Sequence, residues 1–147
     1  MKVTVGGQVL KARHPFFSGR IYAAAGSSPQ TSLYNWTFST IEINQGSHFN
    51  NSTGYFTCPV SGRYAVMVTM NRRNGSSVWS GLYVVKNGTT MSDNWHDPGN
   101  NNEWSPLSSQ MMLDCSASDT ISVCYHSSYA TPKTTSLANN AAIWLVG

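Results

Sequence analysis

Asp93, His96, Asp97 and Glu103 fall within one polar segment, and carboxylates beside an imidazole are the raw material of a metal site. Their spacing does not fit a calcium loop, which needs acidic or amide ligands at alternating positions followed by glycine. Pro98-Gly99 accounts for the acids more simply, as turn residues. No metal and no other cofactor is expected. His14, His48, His96 and His126 are dispersed, and Glu42 and Glu103 are far apart without a recognisable acid/base partner. The chain also lacks a Gly-x-Ser-x-Gly elbow, a His-Glu-x-x-His helix, a phosphate-binding loop and a dinucleotide fingerprint. These absences argue against an enzyme and leave binding as the chemistry to explain. Trp95 and Trp104, with His96 beside the first, are the candidate surface-binding residues. A tryptophan in a polar loop either packs beneath it or stacks on a ligand such as a sugar.

The three cysteines, Cys58, Cys115 and Cys124, cannot all pair within one chain and lack Cys-x-x-Cys spacing. If Leu113–Cys115 and Thr120–Tyr125 form a hairpin around residues 116–119, Cys115 and Cys124 lie on the order of 13 Å apart, too far for a disulfide. Cys58 and Cys115 share the parity of neighbouring core residues. Buried free thiols are the favoured reading, with a Cys58–Cys115 bridge as the alternative.

What must position these residues is a single domain, since 147 residues suffice to bury a core without disulfide or metal. Only 10% of the residues are charged, against a typical ~25%, so the surface must be polar but largely uncharged. The nine basic residues give a net charge of +3 but form no stripe that would follow phosphates, so nucleic acid is not an expected partner. No apolar run is long enough to span a bilayer, and the N-terminus lacks the apolar core of a signal peptide. Membrane insertion is therefore not expected, and the opening Met1-Lys2 reads equally as a native start or as the start of an expressed mature secreted domain.

No window has helical periodicity, whereas short runs rich in Val, Ile, Tyr, Phe and Thr alternate with Gly, Pro, Asn and Ser. That pattern predicts an all-β sandwich or barrel. The clearest strand is Arg63–Met70, whose second face carries Ala65 and Met67 where a solvated strand would carry charge; a second sheet or another subunit should cover them. The closing run 141–146 is apolar on both faces and cannot be an exposed edge. Trp144 within it either meets a partner or fills the chain's own core. Further strands are expected at Phe16–Ala24, Trp36–Ile43, Tyr55–Cys58, Val78–Lys86, Gln110–Cys115 and Thr120–His126, with a tight turn at Asn87-Gly88. Residues 92–106 and 127–140 read as long exposed loops. Ahead of these, Lys2–Val5 and Gln8–Lys11 flank Gly6-Gly7 as a two-residue hairpin pattern. A lone hairpin is marginal in water. Residues 1–15 are therefore assigned as an attachment arm, with Val3, Val5, Val9 and Leu10 as its contact residues, the alternative being that the segment extends the domain's own sheet.

Between Phe38 and Met91 the landmarks run in a fixed order: Asn44-Gln45-Gly46, then Gly54-Tyr55-Phe56-Thr57-Cys58-Pro59, then Gly62-Arg63-Tyr64, then Leu82 to Gly88. Ser118-Asp119 follows, where Gly-Asp is usual. This series resembles the globular head shared by C1q and the tumour necrosis factor superfamily, over roughly residues 16–147. The resemblance implies a jelly-roll β-sandwich, expected trimeric, with the terminal strand central in a sheet that packs around a threefold axis. Ala65, Met67 and Trp144 are then the expected trimer-interface residues. Some such heads bind calcium, but the resemblance transfers no ligand set to this chain. Two non-enzymatic roles fit. One is a virion component, such as a bacteriophage capsid decoration or tail-fibre tip, with other virion proteins and a host-surface glycan or receptor as partners. The alternative is the head of a secreted C1q-like recognition protein that binds glycans or a receptor. The missing leader, absence of a collagen-like stalk, low charge and free cysteines favour the virion reading at this stage.

Overall fold

Alternation of apolar and polar residues sets the architecture, because each strand must bury one face against another layer. The computed structural model describes residues 2–3, 9–10, 14–20, 30–73, 80–96, 104–127 and 139–146. The strands are β1 (Lys2–Val3), β2 (Val9–Leu10), β3 (Phe16–Arg20), β4 (Gln30–Asn35), β5 (Thr40–Gln45), β6 (Phe49–Asn50), β7 (Tyr55–Thr57), β8 (Gly62–Arg73), β9 (Ser80–Lys86), β10 (Thr89–His96), β11 (Trp104–Cys115), β12 (Thr120–Ser127) and β13 (Asn140–Val146). A five-stranded sheet in the order β11-β8-β13-β3-β5 faces a six-stranded sheet in the order β10-β9-β12-β7-β6, in which β4 also pairs with β12. All pairings are antiparallel. This is the two-layer jelly-roll sandwich that the motif order implied.

The core lies between the sheets. Phe17, Ile143, Val66, Val68 and Tyr64 project from the five-stranded side, and Phe56, Leu82, Val84, Ile121 and Val123 from the six-stranded side. Phe17 stacks on Phe49 with centroids 3.9 Å apart, and Phe38 meets both edge-on. Burying one such ring stabilises the fold by about 2–3 kcal/mol. As expected, β13 is central, hydrogen-bonded to β8 on one side and β3 on the other.

Three expectations require correction. The strand expected over Trp36–Ile43 is broken, because the chain crosses between sheets at residues 36–39. Trp36 N–H donates to the Val123 carbonyl, and the Asn51 side chain satisfies both backbone groups of Phe38, so Trp36 and Phe38 can both enter the core without a ladder partner. The segment 92–106 is not one long loop. Residues 92–96 continue β10 and residues 104–106 begin β11, with residues 97–103 outside the described set. The polar pattern of β10 hid it. Ser92 Oγ pairs with Ser109 Oγ at 2.8 Å and Asn94 donates to the Ser108 carbonyl at 2.6 Å, so this edge strand meets β11 of the opposite sheet through hydrogen bonds instead of apolar packing.

The hairpin expected around residues 116–119 is absent, since β11 pairs with β8 and β12 with β9, and the turn carries the chain from one sheet to the other. β1 and β2 pair antiparallel, with Val3 opposite Val9 and Lys2 opposite Leu10. The turn expected at Gly6-Gly7 lies outside the described residues. The end of the strand expected at Phe16–Ala24, the start of that at Val78–Lys86 and most of the second loop lie outside the described residues.

Candidate interaction faces

With no helix among the described elements, any binding surface must come from sheet faces and turns. On the outer face of the five-stranded sheet, strand register lines up two rows. Trp144 lies between Phe16 and Ala65, and Ala65 lies opposite Met112; Ala142 lies between Ser18 and Met67, with Ile43 opposite Ser18 and Gln110 opposite Met67. The three residues assigned to the trimer interface therefore share one face. Ala65 is buried between its larger neighbours, Trp144 is half-buried against the Phe16 ring at 6.3 Å, and Met67 is 43% exposed. Phe16, Met112 at 56% exposure and Ile43 at 44% extend the patch and were not singled out from sequence. Met112 could have been found there, because consecutive methionines in a strand point to opposite faces and one of the Met111-Met112 pair had to face outward. A shallow apolar hollow between Ala65, Met67, Gln110, Met112 and Trp144 breaks the surface.

The six-stranded sheet's outer face is built differently. Trp95, Gly81 and His126 form one row across β10, β9 and β12, and Asp93, Tyr83 and Cys124 the next. Because Gly81 lacks a side chain, the Tyr83 ring can lie over it; a Cβ there would come within 2.7 Å of that ring. Tyr83 then meets Trp95 edge-on at 5.5 Å and contacts His126 at 6.5 Å. The Trp95 indole N–H donates to Asp93 Oδ2 at 3.0 Å, which fixes its plane. Burial and then the Asp93 charge push the Tyr83 hydroxyl up to about 12, so it stays protonated. Trp95 is 47% exposed, while Tyr83, Val85 and Cys124 are buried as a small second cluster.

The other surface-binding candidates do not join it. Trp104 sits in β11 of the opposite sheet, its backbone paired with Arg73, and the His96 backbone pairs with Ser80; the side chains of both lie outside the described set. The arm residues Val3, Val9 and Leu10 are described only as backbone, and Val5 not at all. Among the described residues no group of three or more histidines, cysteines or acids is placed to hold a metal, and Asp97 and Glu103 fall outside them.

One end of the sandwich is tied by a polar lattice that sequence reading did not anticipate. Asp119 accepts from Asn87 Nδ2 at 2.8 Å, from the Ser116 N–H at 2.9 Å and from Lys86 Nζ at 3.1 Å, and Asn87 Oδ1 accepts the Thr120 N–H. Those hydrogen bonds, with the Asn87 amide first, hold the Asp119 carboxyl down at about 2. Asn87, Gly88 and Ser118 adopt positive φ in the turns that make this possible.

The fold and sequence converge on known proteins. The globular domain of zebrafish complement 1qA superposes with a TM-score of 0.62 at 15% identity, covering 91% of this chain and 98% of that one. Murine APRIL superposes with a TM-score of 0.68 at 9% identity, covering 90% and 99%. No curated protein sequence matches the chain. C1q and tumour necrosis factor-like domains are generally non-enzymatic binding modules. Residues 20–141 match the C1q domain, and the chain belongs to that family.

Proposed function

We propose that this chain is the recognition head of a secreted C1q-like protein, working as a homotrimer that binds a glycan or receptor without catalysis. The observation that carries the reading is the outer face of the five-stranded sheet, where Phe16, Trp144, Ala65, Met112, Met67 and Ile43 form one apolar surface in register. A sheet face of this composition needs cover. C1q-like domains typically form homotrimers that bind receptors or ligands, and a threefold assembly through this face would provide that cover. Membership of the family favours this reading over the virion component, to which neither the match nor the structural neighbours point.

Light scattering at micromolar concentration tests the assembly: a trimer is expected, and a stable monomer overturns the reading. Residues 1–15 are assigned to attachment. Deleting residues 1–11 is expected to leave a folded trimer, since a two-stranded hairpin contributes little to a sandwich core. An unfolded or monomeric product would show instead that the segment is part of the head.

A further inference from the structure

Cys58 and Cys115 belong to different layers of the sandwich. Cys58 directly follows β7 of the six-stranded sheet, and Cys115 closes β11 of the five-stranded sheet. Both are buried free thiols in the same core cluster, near enough for each to perturb the other's titration. The backbone around them is fixed. Cys58 N–H donates to the Asp119 carbonyl at 2.8 Å, Ser118 N–H donates to the Cys58 carbonyl at 2.8 Å, and Ala117 N–H donates to Ser61 Oγ at 3.0 Å. The segment after β7 is thus bound to the turn that begins just beyond Cys115. Cys124 is out of reach of this arrangement. It lies in the separate cluster with Tyr83 and Val85, where its Sγ donates to Asn35 Oδ1 at 2.9 Å.

We propose that Cys58 and Cys115 are the site of an intramolecular disulfide that staples the two sheets together, installed by a disulfide-class oxidant such as oxidised glutathione. The thiolate of one cysteine attacks the oxidant's disulfide, forming a mixed disulfide and releasing one glutathione thiol. The second cysteine, losing its proton, attacks the protein sulfur and releases the second glutathione thiol. Two protein thiols are oxidised and one glutathione disulfide is reduced, so the step balances. Two sulfurs without a third ligand suit this chemistry better than a metal, and no group of three or more metal-ligating side chains is found among the described residues.

Timing follows from burial. Thiolate, not thiol, is the attacking species, and burial pushes both thiols above their usual range. The folded domain should therefore react slowly, with the bond formed while the chain is still closing. The chemistry stands whether or not the protein is secreted; an oxidising compartment would supply the oxidant.

The test is to refold the reduced, denatured chain with and without excess oxidised glutathione, trap free thiols with N-ethylmaleimide and map the peptides by mass. The expected product has Cys58 linked to Cys115 and Cys124 alkylated, and melts roughly 5–15 °C higher than the same protein after reduction. The rise should vanish in Cys58→Ala and persist in Cys124→Ala. Oxidised glutathione added to the already folded, reduced protein should form the bond at least about tenfold more slowly. Alkylation of all three thiols after oxidative refolding, glutathione retained as a mixed disulfide, or a bond involving Cys124 would overturn the proposal. Equal rates for folded and refolding protein would overturn the timing.

Discussion

The two sheets solve the same problem in opposite ways. On the six-stranded sheet, Gly81 makes room for the Tyr83 ring, Trp95 and His126 close around it, and Asp93 anchors the indole, so the apolar surface of this face is largely covered by the chain itself. On the five-stranded sheet Met67, Met112 and Ile43 stand out from the surface with a hollow between them. A face that covers itself is free to meet a ligand, whereas one left apolar over several strands needs a permanent neighbour. On the proposed reading, the first is a display side and the second an assembly side.

The sharpest break in this comparison comes from placing a charge on each side. Trp144→Asp should abolish the trimer or unfold the protein, because it forces an unpaired carboxylate into an apolar contact. Trp95→Asp, on the opposite sheet, should leave the assembly state unchanged in the same light-scattering measurement. If the two variants behave alike, the division into sides is wrong.

A second pair separates the core from the assembly face within one sheet. Phe17→Ala removes a fully buried ring and should cost about 3–5 kcal/mol in denaturant melts. Met112→Ala should change the folding stability of the monomer by no more than about 0.5 kcal/mol, the usual range for an exposed position. Its effect should appear only as a concentration-dependent loss of trimer. A large concentration-independent loss in Met112→Ala would place that side chain in the core instead.

Sequence made the buried side of this division legible and the exposed side only partly so. The period-2 pattern of residues 63–70 and the doubly apolar 141–146 run identify the central strands, because a strand buried on one face and covered on the other has few polar options. Edge elements follow different rules. β10 meets β11 of the opposite sheet through Ser92 and Asn94, and residues 36–39 cross between sheets on hydrogen bonds with Asn51, so neither leaves an apolar period to read. The edge-on contact of Trp95 with Tyr83 depends on which residues of β9 and β10 lie opposite one another, and that register follows from a bulge between Thr90 and Ser92. Likewise, the proximity of Cys58 to Cys115 needs two sheets to close. Parity pointed to two buried thiols, with a bridge between them as the lesser alternative, and only the closed sandwich puts both in one core cluster.

The lattice around Asp119 makes the comparison pH-dependent. Its carboxyl is held at about 2 in the folded protein against an ordinary value of 3.8, so between these values the unfolded chain binds more protons. The stabilisation is fully present above about pH 4 and is lost as pH falls toward 2. Asp119→Asn should therefore lower the melting temperature at pH 7, and the gap to the parent protein should narrow steadily below pH 4. A gap that is constant with pH would show that the charge on Asp119 contributes nothing to holding the two sheets at that end.

The smallest expected effect comes from the same turn. Ser118 adopts φ 74°, a left-handed conformation that costs a residue with a Cβ about 1 kcal/mol more than glycine. Its N–H must nevertheless point at the Cys58 carbonyl, which is 2.8 Å away, so the strain is held in place by the joint between the two sheets. Ser118→Gly should remove that cost, while the freer unfolded chain takes back part of the gain. The net stabilisation should be about 0.5 kcal/mol, seen as a small rise in the denaturation midpoint with an unchanged slope. Since the turn lies at the end of the sandwich and in neither outer face, trimer content should not change. A loss of stability would mean that the Ser118 side chain contributes more to the turn than its backbone strain costs.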